Sequence, residues 1–432
     1  QKEEFRKDIY STSSISIFIS TIILSGLLLF SHTTFAHWLK LDAHPEFITY
    51  SILIIAFDTL STLPFAKLRQ QGRPKKFALI RIISILITIG LTYFFISICP
   101  TIVAHNPAGF IAKHYIKNYG VGYVIIANLI SSFITLLFLL KELFSFKWKF
   151  NVVVWRTIML YSLPLIIAGF GGMINETFDR LMLLWWAPVH GVDAAKNEVG
   201  IYSACYKLSI LITLFIQAFR MGAEPFFFKQ SEGENPQKVY ARVMKFFVIT
   251  ITVMFLVVAL YIDVWKYFIQ NKTFWVGLKV VPILLMANMF LGIYYNLSIW
   301  YKLTHKTISG AYITLIGAVI TLIINYIFIP YYSYMACAWA TFCCYGSMMV
   351  ISFLWGQKQY RIPYAWKKLS AYIIIVVLLF FIHRTLIHFF NNTVVNFSSA
   401  TFLLFIYVWF VMFVERKEFA RLPIIGWFFK RS

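Results

Sequence analysis

Phe47–Phe65 reads FITYSILIIAFDTLSTLPF, Ala66–Lys76 reads AKLRQQGRPKK, and Phe77–Ile98 reads FALIRIISILITIGLTYFFISI. Two apolar runs flank a short basic turn. A helix needs about 20 apolar residues to cross the hydrocarbon core of a bilayer, so each run is a candidate membrane span. Outward from this hairpin the same unit recurs, giving Ser14–Phe35, Val121–Leu140, Ile158–Trp186, Gly200–Phe219, Val239–Tyr261, Val276–Trp300, Ile308–Pro330, Ser333–Trp355, Leu369–Phe389 and Ala400–Val414. The reading is an all-α polytopic membrane protein with twelve spans.

The connections alternate in charge. Lys2, Arg6 and Lys7, then Lys67, Arg69, Arg73, Lys75, Lys76 and Arg81, then Lys141, Lys147, Lys149 and Arg156 lie on one side. Arg220, Lys229, Lys238, Arg242 and Lys245, then Lys302 and Lys306, then Lys358, Arg361, Lys367 and Lys368 continue that series. The opposite connections hold little beyond Lys40, Lys113, Lys117, Lys196, Lys266, Lys272 and Arg384. Because Lys and Arg accumulate on cytoplasmic loops, both ends of the chain, with the 416–432 tail, are expected in the cytoplasm.

Composition agrees. Of 432 residues 60% are hydrophobic and only 13% charged, too few to solvate the surface of a soluble protein. The net charge of +22 is spread over loops instead of gathered on one face, which argues against a nucleic-acid partner. Cys99, Cys205, Cys337, Cys343 and Cys344 lie in or beside apolar runs without metal-ligand spacing and read as packing residues. No metal, cofactor or catalytic motif is expected, and no extramembrane loop is large enough for a soluble domain. The opening Gln1-Lys2-Glu3-Glu4 reads as the middle of a loop, from which an N-terminal truncation by an even number of helices is expected.

Within the apolar runs, ionisable groups stand out, since each costs about 2.5–3.5 kcal/mol at the bilayer centre. Lys207 has no acid one turn away, Ser203 and Leu211 being its neighbours there. Arg180 lies on the preceding helix at a similar expected depth, with Glu176 four residues earlier as a potential ion-pair partner. Two cations on adjacent helices suit a phosphate or diphosphate; a structural ion pair is the competing reading for Arg180. Asp58 lies near mid-membrane and Asp179 beside Arg180; either could couple to a cation or simply be hydrogen-bonded. Arg220 and Glu224, spaced i, i+4, suit a gate near the cytoplasmic end, and Lys279 suits a residue snorkelling to the outer interface. Pro164 and Gly169-Phe170-Gly171-Gly172 are expected to interrupt the fifth helix, either as a transport-site break or as an ordinary kink.

Tyr161-Ser162-Leu163-Pro164-Leu165, Asn175-Glu176, Asp179-Arg180, Val199-Gly200-Ile201-Tyr202-Ser203 and Tyr206-Lys207-Leu208 resemble the polysaccharide-transport (Wzx-type) flippases of the multidrug/oligosaccharidyl-lipid/polysaccharide exporter superfamily. Gln217-Ala218-Phe219-Arg220, Glu224-Pro225-Phe226-Phe227 and the Asp58…Pro64…Leu68-Arg69 stretch extend the resemblance along the chain. It implies two pseudo-symmetric lobes around a central cavity, with the first two helices missing here. Residues 1–145 would be the remainder of the N-lobe, 150–357 the C-lobe and 365–415 two additional helices.

It also implies alternating-access export of an undecaprenyl-diphosphate-linked oligosaccharide across the bacterial inner membrane. The protein would be a monomer, with a polymerase and other glycan-assembly proteins as further partners. Arg180 and Lys207 would hold the diphosphate, with Arg220 as gate. A lipid II flippase, a multidrug cation antiporter of the same superfamily and an O-antigen polymerase or ligase are the alternatives.

Overall fold

A computed structural model describes residues 2–420 apart from positions 108, 117, 118, 147, 189, 190, 232, 305 and 391. The loop residues Lys117 and Lys147 and the tail beyond residue 420 therefore lie outside the described residues. Among those described, every regular element is a helix, and eleven helices are long and apolar enough to cross a membrane. The chain divides into two compact units, Gln1–Ser162 and Leu163–Ser432.

The first unit contains α1 (Lys2–Phe30), α2 (Glu46–Gln70), α3 (Pro74–Tyr93) and α4 (Val121–Phe138). Helix α3 runs on through a π-helical turn, Phe94–Ile98, to His105. Helix α4 packs on both α2 and α3, and Ser131 on α4 meets Ser84 on α3 at 3.0 Å. At one end Lys76 reaches the buried Glu142 carboxylate at 2.6 Å. Large side chains such as Ile22, Leu86 and Ile89 are exposed, as befits helices with lipid for solvent.

Helix α5 (Val152–Met173) crosses the division between units and continues through a second π-helical turn, Ile174–Phe178, into α6 (Asp179–Trp186). Of the two readings for the fifth helix, the unwound break is not what forms: the backbone stays helical through Pro164 and Gly169–Gly172, and the irregularity falls just after them. Neighbouring helices and local adjustment re-satisfy the carbonyl freed by a proline, so a bilayer helix need not break there. The side chain of Pro164 lies outside the described residues.

The second unit continues with α7 (Val192–Gln230), α8 (Pro236–Ala259), α9 (Val281–Leu297), α10 (Ile299–Leu303), α11 (Thr307–Tyr332), α12 (Tyr334–Gln359), α13 (Trp366–Phe390), α14 (Thr393–Val414) and the short α15 (Arg416–Phe419). At 39 residues, α7 is far longer than the expected Gly200–Phe219. Its apolar stretch gives only the part in hydrocarbon, whereas the helix, about 58 Å at 1.5 Å per residue, overshoots the bilayer at its ends.

Small residues let α9 pack closely on α7 and α8, and α11 on α12. A Cβ on Gly292 would lie 2.7 Å from the Phe247 ring and 3.0 Å from Ile216, and one on Gly317 would lie 2.7 Å from Met348. Such contacts drive association where lipid is as apolar as the partner helix. Gly292→Ala is therefore expected to cost about 1–3 kcal/mol by overpacking. The checking measurement is the thermal unfolding midpoint in detergent, and an unchanged midpoint would contradict this packing.

Helices α13 and α14 are tied to α8 along their length. Lys245 meets Glu415 at 3.0 Å, Thr252 meets Tyr407 at 2.7 Å, and Asn396 donates to Asp263 at 2.7 Å just beyond α8.

Candidate functional site

The second unit holds a half-open cavity of about 840 Å³ between α5, the π-helical turn, α6, α7, α9, α11 and α12, with Glu176 and Lys207 exposed on its wall. Arg180, Lys207 and Glu176 all line it, together with Tyr206, Tyr294, Tyr295 and Tyr345. The π-helical turn sets this arrangement. Inserting one residue into the helical repeat re-aims the side chains that follow, which is why such turns recur at functional sites. Here Asn175 points into the protein, donating to the Thr314 carbonyl at 3.3 Å and accepting from Thr321 at 3.3 Å. Glu176 faces the cavity.

Arg180 is held from several sides. Its Nη1 donates to the Glu176 carbonyl at 2.6 Å and to Asp179 Oδ1 at 3.2 Å. Its guanidinium lies 4.5 Å from the centre of the Tyr206 ring, a cation–π contact. The partner carboxylate is thus Asp179, not the Glu176 side chain that the i, i+4 spacing suggests. The π-helical turn brings the Glu176 carbonyl, instead of its carboxylate, to the guanidinium. Asp179 is 1% exposed, and its other oxygen accepts from Tyr202 Oη at 2.6 Å. Asp179 is therefore a buried counter-ion that positions Arg180 without lining the cavity.

Lys207 sits fifteen residues into α7, about 22 Å along the helix from Val192. Among the described residues neither its ammonium nor the Glu176 carboxylate has a hydrogen-bond or ion-pair partner. The cavity accordingly offers a held cation, a free cation, a free anion and a ring of tyrosines.

The other candidates lie elsewhere. Asp58, in the first unit, lines a separate cavity of about 320 Å³ with Arg81, Ser61, Thr62, Ser84 and Thr135. Arg81, counted with the basic turn in the sequence, stacks on Phe65 at 4.3 Å and faces that polar space. Arg220 and Glu224 belong to a small site beside the main cavity. Arg220 is 3.5 Å from Glu224, but Lys302 on α10 is the closer partner, at 2.6 Å. Tyr295 lines both sites, and the Arg220 guanidinium lies 3.9 Å from the centre of its ring. Lys279 is exposed in the turn preceding α9, 5.4 Å from the Tyr334 ring.

The sequence reading missed the tyrosines, the Asn175–Thr314–Thr321 anchor, Lys302 and Arg81. Asn175 and Asp179, spaced four apart on one polar helix face, were a signal for the anchor. Nothing local in the sequence pairs Lys302 with Glu224.

A family model described as MatE matches residues 183–327. No curated protein matches the chain. Among solved structures, the lipid II flippase MurJ in an inward closed conformation is 14% identical with a TM-score of 0.63, over 96% of this chain and 85% of that one. An outward-facing multidrug resistance MATE family transporter of the MOP superfamily is 14% identical with a TM-score of 0.56, over 84% and 79%. An inward-facing one is 16% identical with a TM-score of 0.57, over 85% and 81%. The chain has the fold of these proteins; at such identities the likeness is one of fold.

Proposed function

We propose that this protein is a transporter, not an enzyme, that flips an undecaprenyl-diphosphate-linked oligosaccharide from the cytoplasmic to the outer leaflet by alternating access. The observation that carries the reading is Lys207, a cation without a partner among the described residues, in a membrane cavity that also holds Arg180. An ammonium in that setting is costly unless something anionic visits it. A diphosphate supplies several strong acceptors for Lys and Arg. The tyrosine rings suit sugar, and the glycan would follow the headgroup while the prenyl tail stays in lipid. Cycling requires the cargo to bind the inward and outward states with different affinity. We place the protein in a bacterial inner membrane with its basic loops cytoplasmic, residues 150–357 as the substrate lobe and 365–415 as an added pair.

The test is a leaflet-accessibility assay on the full-length protein in proteoliposomes, using a polyprenyl-diphosphate-linked sugar. Lys207→Ala is expected to slow flipping about 10- to 100-fold, from the loss of charge-assisted bonds worth about 1.5–3 kcal/mol. Its unfolding midpoint should stay unchanged, because Lys207 has no partner to lose among the described residues. Undiminished flipping would overturn the reading. The free Glu176 carboxylate in the same cavity favours a second reading, a multidrug cation antiporter. Dye transport that survives Lys207→Ala and fails in Glu176→Gln would select it.

A further inference from the structure

Beside the main cavity, at the Gln230 end of α7, two cations converge on one carboxylate. Lys302 Nζ donates to Glu224 Oε1 at 2.6 Å, and Arg220 Nε lies 3.5 Å from the same oxygen. The second contact is an ion pair by distance only, because Arg220 Nε has no hydrogen-bond partner. Asn296 lines the same space, is 4% exposed, and its Nδ2 is likewise without a partner. Ser298 is already committed, donating to the Tyr295 carbonyl at 2.6 Å. Burying a donor unpaired costs about 1–3 kcal/mol, so two of them lining the small space that also holds the Glu224 carboxylate point to an acceptor richer than a carboxylate. Phosphate oxygens fit that need, being recognised by the same ammonium, guanidinium and amide donors.

We propose that Arg220, Asn296 and Lys302 form a phosphate-binding site which Glu224 occupies in this state as an internal competitor. The cavity around these groups is about 10 Å³, no more than one water needs, so a phosphate enters only when Glu224 leaves. Glu224 is 37% exposed, and rotation of its side chain toward solvent vacates the site. Its departure raises the local charge from +1 to +2, which matches a phosphate dianion. Tyr295, shared between this site and the main cavity, is the wall through which occupancy of one is felt at the other. The site goes beyond the transport reading, since Arg180 and Lys207 take no part in it. Its ligand is a phosphate ester or diphosphate, whether free or at the head of a lipid.

The test is equilibrium binding of inorganic pyrophosphate and of geranylgeranyl diphosphate to the full-length protein in detergent, with unfolding midpoints recorded for each variant. Glu224→Gln is expected to tighten binding about two- to fivefold, because an ion pair no longer has to be broken first. The gain should vanish when Arg220→Gln and Lys302→Gln are added to it. It should persist when Lys207→Ala is added, which separates this site from the transport cavity. A gain with both probes assigns a free-phosphate ligand, and a gain with the prenyl compound alone assigns a lipid headgroup. A folded Glu224→Gln protein with unchanged affinity for both probes overturns the proposal, as does a gain abolished by Lys207→Ala.

Discussion

Asp179→Ala is expected to destabilise the protein by about 3–5 kcal/mol, the cost of removing one partner from a buried ion pair. Asp179 is 1% exposed and answers two groups at once, Arg180 at 3.2 Å and Tyr202 at 2.6 Å. Its removal leaves a guanidinium with less than its full counter-charge and a buried hydroxyl with no acceptor. Asp179→Asn should cost less, because the amide oxygen still accepts from Tyr202. Adding Arg180→Leu to Asp179→Ala should recover part of the loss, since the orphaned charge goes with it. Unfolding midpoints of the three variants in detergent check the ordering. Equal midpoints for the alanine and asparagine variants would show that the carboxylate is not the keystone of α6 and α7.

A comparable loss is expected for Glu415→Ala, again about 3–5 kcal/mol. Glu415 follows α14 and is 2% exposed. It accepts from Lys368 at 2.6 Å, Tyr372 at 2.7 Å and Lys245 at 3.0 Å, so it joins α8, α13 and α14 at one end. Burial alone would push this carboxyl up; the bonds from Lys368, Tyr372 and Lys245 outweigh burial and hold it below its ordinary value of 4.5. A carboxylate depressed in the folded state stabilises fully above that ordinary value, and the contribution fades as pH falls through the folded value. The difference in midpoint between wild type and Glu415→Ala should therefore be largest near neutrality and shrink below pH 4.5. A difference that stays constant with pH would mean that packing, not charge, joins α13 and α14 to α8. At the other end Asp263 behaves alike: burial raises it, but bonds from Lys266 and Asn396 outweigh burial and keep it below its ordinary range.

The membrane class and the helices were legible because hydrocarbon imposes a length and a composition on anything that crosses it. Phe47–Phe65 falls inside α2, and Ile308–Pro330 matches α11 almost residue for residue. Helix ends were less legible. α7 overshoots at both ends and α14 starts seven residues before Ala400, because polar residues beyond the hydrocarbon stay helical for reasons of hydrogen bonding that apolarity does not register.

For the site, intramembrane charge was enough to single out Arg180, Lys207 and Glu176, since each is expensive where it stands. Partnership was not in the sequence. The i, i+4 rule assigned Glu176 to Arg180, and a single π-helical turn gave that role to Asp179. Lys302 reaches Glu224 across 78 positions, and Asp58 shares a polar cavity of the first unit with Arg81. Local periodicity and the solvent's dielectric determined which segments are helical and which charges need an explanation. Only tertiary packing, which brings distant helices within hydrogen-bonding range, decided which of those charges are answered and which, like Lys207, face open space.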